Sequence, residues 1–478
     1  MWTDAAICYQ ALAARDARFD GQFFVAVSST GIYCRPVCRV RLPKRENCTF
    51  HPSAAAAEAA GFRPCLRCRP ELAPGYASVD ASRRLARAAA SLIDDGALGE
   101  AGLGALATRL GVSERHLRRV FAAELGVSPV AYAQTQRLLL AKRLLTDTRL
   151  PVTQIALAAG FASLRRFNAL FRERYRLEPR ALRKTPEAGE RTDLTFELAY
   201  RPPYAWPAQL AFFAPRCAVG VEAVTDHLYL RTVTIGRDRG WLAVAHNARR
   251  KTLQVTLSAS LARVVPETLG RVKALFDLSC CPDEIAGCLG DLADGLPGLR
   301  LPGAFCGFEI AVRAVLGQQI TVAAARTLAG RIAHTFGEPI QTPWPGLDRT
   351  FPGPEKLART SDDELGRIGV IRSRQRAIRA LAESCLSGDL TLAPGVDVER
   401  TLAALRALPG IGEWTAQYIA MRALAWPDAF PHTDHGVMKA LGERTPRRVL
   451  ERAEKWRPWR AYAAVHLWRS LPAKENPS

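Results

Sequence analysis

The chain changes texture four times. Over residues 1–75 the apolar positions are scattered between cysteines, and "QFFVAVSS" (22–29) alternates enough to predict a short strand. Residues 80–184 carry apolar positions at helical spacing with brief breaks, which predicts a helical domain. "KTPEAGERTD" (184–193) is polar and holds Pro and Gly, the signature of a linker. Residues 194–262 switch to alternating, β-branched runs such as "LYLRTVTIG", "GWLAVAHN" and "KTLQVTLSA", which predict an antiparallel sheet. From 263 to 478 helical spacing returns, broken by "LPGIG" and proline-rich segments. The pattern predicts a multidomain α+β chain with boundaries at 1–75, 80–184, 191–262 and 263–478.

The helical segment repeats itself. "LGALATRLGVSERHLRRVFAAELGVSPVAY" (103–132) and "VTQIALAAGFASLRRFNALFRERYRLEPRAL" (152–182) each read as a short helix, a glycine turn, a Ser-led helix and a closing Pro turn. That is two helix-turn-helix units in tandem. Charge supports the reading. The chain is +20 overall, and residues 103–184 hold 16 basic against 5 acidic residues, a balance suited to a polyanion such as nucleic acid.

Composition narrows the class. No run of 18 apolar residues occurs, so no membrane span is expected. "MWTDAAICYQ" has no basic segment leading into an apolar one, so it does not read as a secretory signal, and a bacterial cytoplasm or nucleoid is the expected location. Twelve cysteines in such a chain point to metal or thiol chemistry before disulfides. Cys34-x3-Cys38 and Cys65-x2-Cys68, 26 residues apart, suit a tetrahedral four-sulfur Zn²⁺ site. Cys8 and Cys48 fall outside that pattern and read as ordinary thiols. A zinc-bound thiol is a thiolate at neutral pH and hence a nucleophile.

"TGIYCRP-C", "REN" and "GFRPC-RC", within residues 19–71, resemble the N-terminal domain of the Ada family of bacterial adaptive-response proteins. The resemblance implies that Cys34, Cys38, Cys65 and Cys68 hold one zinc and that Cys34 accepts a methyl group from a DNA methylphosphotriester. Methylation takes the formal charge of the site from −2 to −1. Arg35, Arg39, Arg41, Arg63, Arg67 and Arg69 surround the pairs and are expected to face the DNA backbone, so less negative charge there favours DNA binding. Because the sulfur is alkylated irreversibly, this domain is a single-use reagent. The second Ada-type methyltransferase signature, "PCHR", is absent, so repair of O6-alkylguanine is not expected.

"ALATRLGVSERHLRRVFAAELGVSP" and "IALAAGFASLRRFNALFRERYRLEP" resemble the AraC family of DNA-binding domains. The resemblance implies recognition helices over Ser113–Ala122 and Ser163–Phe171, entering the major groove. Arg115, His116, Arg118, Arg119, Arg165, Arg166 and Asn168 are the expected DNA contacts, with phosphate contacts as available to each arginine as base readout. Leu117, Val120, Phe121, Phe167 and Phe171 read as core.

"LRALPGIGEWTAQYIAMRAL" (405–424) is a helix-hairpin-helix. Gly410 and Gly412 permit a tight turn, and the new helix presents free N–H groups to a DNA phosphate. "FPHTDHGVMKAL" (430–441) follows with Asp434. Together with "AVRAVLGQQITVAAA" and "KWRPWRAYAAVHLW", these stretches resemble the AlkA family of 3-methyladenine DNA glycosylases II, from about residue 194 to 470. The resemblance implies that Asp434 is the catalytic carboxylate, that Trp414, Tyr418 and Trp468 form an aromatic base pocket, and that Gln319 wedges into the duplex. Asp434 also reads as the N-cap of "HGVMKAL"; Asp362 and Asp363 read as helix-start acids; Asp428 is less attractive; His432 and His435 flank the site without an assigned role.

A cationic alkylated base leaves readily, so the chemistry needs a carboxylate to stabilise positive charge at the sugar and no strong acid. Trp414 stands where bifunctional relatives carry a Schiff-base lysine, so no lyase step is expected. The last cysteine is Cys385, ahead of Asp434, so no iron–sulfur cluster is expected. The reading is an Ada-type and AlkA-type fusion: methyl acceptor, glycosylase and transcriptional activator. Its partners are alkylated double-stranded DNA and promoter DNA, with RNA polymerase as a further partner and no membrane. The alternatives are a DNA-binding transcription regulator with a degenerate glycosylase half, and a glycosylase whose zinc is only structural.

Overall fold

The computed structural model describes residues 5–15, 19–20, 23–52, 54–68, 70, 78–94, 98, 102–147, 151–161, 163–182, 193–394 and 396–471. The expected linker lies almost wholly outside the described residues, as does Arg69. The chain divides into two compact units, Met1–Gln136 with Lys455–Pro458, and Arg137–Glu454 with Trp459–Ser478.

In the first unit, β1 (Phe24–Val27), β2 (Ile32–Cys34), β3 (Cys48–His51) and β4 (Arg63–Pro64) form a sheet of order β3-β1-β2-β4. β1 runs antiparallel to both neighbours, and β2 pairs with β4 in parallel. The sequence suggests one dry face for β1. Both are covered: Phe24 and Ala26 pack with Tyr33 and Ala57, while Val25 and Val27 pack with Cys8, Ala11 and Leu12 of the helix Ala5–Ala14. Apolar residues at four successive positions explain why. Cys8 belongs to that core, as an ordinary buried thiol.

The helices Ser78–Asp94, Gly102–Arg109 and Glu114–Leu125 follow, closing on Ile93, Leu106, Leu117 and Phe121. The Ser113 hydroxyl accepts from the His116 N–H and caps the last of these helices, and Gly126, at φ 74°, ends it.

In the second unit, Val152–Ala158 and Leu164–Tyr175 form the other helix-turn-helix, with the Ser163 hydroxyl accepting from the Arg166 N–H. Phe161, Phe167, Phe171 and Tyr175 make a chain of aromatic contacts, with ring centroids 4.8–5.4 Å apart. The sheet is β5 (Leu194–Ala199), β6 (Glu222–Val224), β7 (Leu228–Ile235), β8 (Asp238–Asn247) and β9 (Thr252–Leu257), in the antiparallel order β5-β9-β8-β7-β6. The helix Trp206–Phe213 interrupts this stretch, which reads as sheet from sequence; six of its eight residues are buried, so no alternation marks it.

Beyond the sheet, the helix Gly307–Leu316 is buried along most of its length and is packed by Arg372–Ser387 and Glu413–Arg422. Sheet and helix are joined by a buried charge cluster. Arg231 of β7 donates Nη2 to Glu309 Oε2 at 2.7 Å, and Arg313 donates Nη1 to Glu222 Oε2 of β6 at 2.6 Å. Among the described residues, no helix is long and apolar enough to cross a membrane.

Candidate metal centre and aspartate cleft

The first site is built by the small sheet. The β1–β2 hairpin ends on Cys34, and the parallel strand β4 brings the Cys65 N–H to the Tyr33 carbonyl at 3.0 Å. Backbone pairing thus joins sulfurs from two distant pairs. The four Sγ atoms of Cys34, Cys38, Cys65 and Cys68 lie within 4.8 Å of one another. Zn–S bonds of about 2.3 Å in a tetrahedron need sulfurs about 3.8 Å apart, so the cluster fits with a small contraction. The donor chemistry agrees. The Cys34 thiol is pushed far up, first through its hydrogen bond with Cys38, whereas Cys38 is held at about 2, first through its bond with Cys34. Sulfurs this close cannot all ionise on their own, and a dication is the group that lets them.

Arg35 corrects one expectation. Its guanidinium is buried, pairs with Asp20, and donates Nε to Asp20 Oδ1 at 2.9 Å. Its backbone N–H points to Cys68 Sγ at 3.4 Å. Arg35 therefore braces the cysteine cluster from inside and is not a phosphate contact. Arg39, Arg41, Arg63 and Arg67 are exposed around the cluster.

Both helices expected to read DNA present charge outward. Arg115, Arg118 and Arg119 are exposed, while Leu117, Val120 and Phe121 are buried. Arg118 is paired with Glu114, and Arg119 Nη2 lies 3.2 Å from His116 Nδ1. In the other unit Arg165 and Arg166 are exposed, Asn168 is half-buried, and Phe167 and Phe171 are core.

The second site is an open cleft lined by Trp414, Tyr418, Trp468 and four arginines, Arg216, Arg313, Arg326 and Arg422. Asp434 lies behind its tryptophans, 3% exposed, as the N-cap of the helix His435–Leu441. Its Oδ1 accepts from the Val437 N–H at 2.9 Å and Trp468 Nε1 at 2.8 Å; its Oδ2 accepts from Trp414 Nε1 at 2.8 Å. Trp414 and Tyr418, one turn apart on the helix Glu413–Arg422, stack at 5.2 Å and 14°. Asp434 and the three aromatics are thus brought together. His432 is half-buried and His435 is exposed beside the cap. Asp428 is bound to Arg460, and Asp362 and Asp363 open a helix capped by Ser361.

The hairpin adjoins the cleft. Gly410 has φ 76°, and a Cβ there would lie 3.3 Å from the Ala377 Cβ. The Gly410 carbonyl accepts from Gln318 Nε2 at 2.8 Å, and Arg374 Nη2 holds the Gln318 carbonyl at 2.5 Å. The next residue, Gln319, is exposed with φ 55°, a left-handed conformation rare for a side-chain-bearing residue. Gly412 caps the following helix with extended backbone. Sequence reasoning missed Gln318 and all four arginines of the cleft, because nothing local separates them from other polar residues near apolar runs.

Four family models match the chain: the metal binding domain of Ada over residues 7–71, a helix-turn-helix domain over 106–185, the AlkA N-terminal domain over 195–306, and the HhH-GPD superfamily base excision DNA repair protein over 312–454. A probable bifunctional transcriptional activator/DNA repair enzyme AlkA from Mycobacterium tuberculosis H37Rv is 38% identical, covering 100% of this chain and 98% of that protein. DNA-3-methyladenine glycosylase 2 of Escherichia coli K12 is 38% identical over 57% of this chain and 96% of its own length. A solved 3-methyladenine DNA-glycosylase from Archaeoglobus fulgidus shares the fold at TM-score 0.50 and 21% identity, covering 57% of this chain and 96% of that one. With four matching modules in order and a full-length relative, the chain belongs to the family of bifunctional transcriptional activator/DNA repair enzymes that join an Ada-type zinc domain and a helix-turn-helix domain to an AlkA-type DNA glycosylase.

Proposed function

We propose that the chain excises alkylated bases from DNA as a DNA-3-methyladenine glycosylase II, and accepts a methyl group from DNA methylphosphotriesters on Cys34. The observation that carries the excision reading is the Asp434 carboxylate, fixed by three N–H donors behind an aromatic cleft beside the hairpin. The hairpin binds backbone phosphates through the free N–H groups after Gly412, and Gln319 enters the space vacated by the everted nucleotide. The base lies against the Trp414–Tyr418 stack, whose π faces favour a cationic ring. The C1′–N bond breaks with its electron pair passing to the base. Asp434 stabilises the oxocarbenium-like sugar electrostatically and orients the water that adds to C1′. Its fixed donors keep the carboxylate in place through the reaction, with little reorganisation.

In the zinc domain, Cys34, Cys38, Cys65 and Cys68 hold the metal, which keeps their sulfurs as thiolates. The Cys34 sulfur attacks the methyl carbon, an S–C bond forms, the C–O bond breaks, and its electron pair leaves on a phosphodiester oxygen. Exposed Arg39, Arg41, Arg63 and Arg67 line the DNA side. The division of labour follows 1–75 for methyl acceptance, 80–184 for sequence-directed DNA binding, 191–262 for shaping the cleft and 263–478 for excision; the order of matched modules supports it. The activator role named for the tuberculosis relative supports promoter DNA and RNA polymerase as partners, and a place on the bacterial nucleoid.

The test is release of 3-methyladenine from methylated DNA. Asp434→Asn is expected to lose excision while retaining DNA affinity. Undiminished release would move the catalytic role to another group, and no release by the unmodified chain would favour the alternative, a DNA-binding transcription regulator with a degenerate glycosylase half.

A further inference from the structure

The helix Glu413–Arg422 holds the aspartate segment at two points. Trp414 Nε1 donates to the Asp434 carboxylate at 2.8 Å. Gln417, three residues on and so on the same side of the helix, makes the other contact. Its Oε1 accepts from the backbone N–H of Phe430 at 3.0 Å. Phe430 is buried and opens the run of residues that ends on Asp434. That run is tied to itself. The Phe430 carbonyl accepts from the His432 N–H and the Pro431 carbonyl from the Asp434 N–H, both at 2.9 Å. A shift of Phe430 is thereby passed to Asp434. The Gln417 amide is itself held. Its Nε2 donates to Glu413 Oε1 at 2.9 Å, one turn back. Arg406, on the helix before the hairpin, grips both oxygens of Glu413, with Nε 2.6 Å from Oε2 and Nη2 2.9 Å from Oε1. A carboxylate only accepts and a backbone N–H only donates, so one orientation of the amide serves both neighbours. The chain of contacts therefore runs Arg406, Glu413, Gln417, Phe430, Asp434, from the far side of the glycine hairpin to the carboxylate.

We infer that Gln417 is a positioning residue for excision: it fastens the start of the segment that carries Asp434 to the hairpin helix, and the Arg406–Glu413 pair sets its amide in the orientation that does so. The role rests on the Asp434 excision reading. A carboxylate stabilises an oxocarbenium-like sugar best when it is already in place and need not reorganise. Three N–H donors fix the Asp434 side chain, and Gln417 fixes the backbone that bears it. Without the Gln417 acceptor a buried N–H loses its partner, which is costly enough for the segment to move in search of another. Gln417 is not among the residues that line the cleft. Its loss therefore acts on the rate of bond breaking and leaves DNA affinity alone.

The experiment measures single-turnover release of 3-methyladenine at saturating enzyme, and equilibrium binding to undamaged duplex, for the full chain, Q417M, Q417E and the double variant Q417E with E413Q. Q417M keeps the length of the side chain and removes both amide bonds. It should slow release roughly 10- to 100-fold, the span of an unsatisfied buried donor, with DNA affinity changed by less than about twofold. Q417E keeps an acceptor for Phe430 but sets two carboxylates side by side, so it should be slow as well. Adding E413Q reverses the polarity: an amide at position 413 donates to the carboxylate at 417, which still accepts from Phe430. This pair should recover most of the lost rate. The amplitude of the single turnover reports the folded fraction, so a folding defect is read apart from the rate constant. An undiminished rate in Q417M, a loss confined to DNA affinity, or no recovery in the reversed pair overturns the inference. Asp434→Asn in parallel separates the two readings. If it still releases 3-methyladenine, the excision site itself is misassigned. If it does not, while Q417M releases at the full rate, only Gln417 is.

Discussion

On the proposed reading, Asp434 serves structure and chemistry together. One oxygen caps a helix and accepts from Trp468, while the other accepts from Trp414. Trp468 donates to this carboxylate and also lines the cleft, and phenylalanine removes the donor while leaving an aromatic ring in the wall. Trp468→Phe should lower the single-turnover rate of 3-methyladenine release roughly 10- to 100-fold, because a hydrogen bond to a charged group contributes about 1.5–3 kcal/mol, and should leave DNA affinity unchanged. An unchanged rate would mean that this donor is dispensable. The cap was legible in the sequence, since an aspartate directly before "HGVMKAL" has few other local uses. Arg35 was not. It reads as one more surface arginine beside a cysteine, and only the folded chain shows that its partner is Asp20, buried with it.

At the scale of elements, the hairpin and the sheet–helix joint each make a prediction. Gly410 is left-handed and faces Ala377 and the Ser373 carbonyl, so Gly410→Ala meets both backbone strain and a tight contact. The change should weaken binding to undamaged DNA and raise KM for excision, with the bound-state rate little altered; unchanged affinity would remove the hairpin from the interface. The joint predicts acid sensitivity. Burial opposes ionisation of Glu222, but Arg313 and Arg231 outweigh it and hold Glu222 down at about 2, from an ordinary value of 4.5. A depressed carboxylate contributes stability above its unfolded pKa and loses it as pH falls through the folded value. Stability measured by denaturant unfolding should therefore drop between pH 4.5 and about 2, by on the order of 3 kcal/mol from this group, and Glu222→Gln should flatten that part of the profile. Repeating patterns made the helices and strands legible. The joint was not, because its partners lie 78 and 91 residues apart and each looks like an unremarkable charge on its own element.

Over the whole molecule, the two chemistries differ in kind. On the proposed reading, the aspartate cleft turns over, while a methylated Cys34 is spent. Every lining residue of the cleft belongs to the second unit and every cysteine of the cluster to the first, so each site can be tested in the intact chain without disabling the other. The module order was legible because cysteine spacing, repeated Ser-led helices and the glycine hairpin are local signals. The arginines of the cleft were not, since residues as far apart as Arg216 and Trp468 meet only on folding. The most direct test of the joint claim is peptide-resolved mass spectrometry of the full chain after incubation with DNA carrying methylphosphotriesters. The account predicts the mass of one added CH₂, confined to Cys34 and reaching one per chain. Modification of Cys38, Cys65 or Cys68 instead, or none on any of the four, would contradict it.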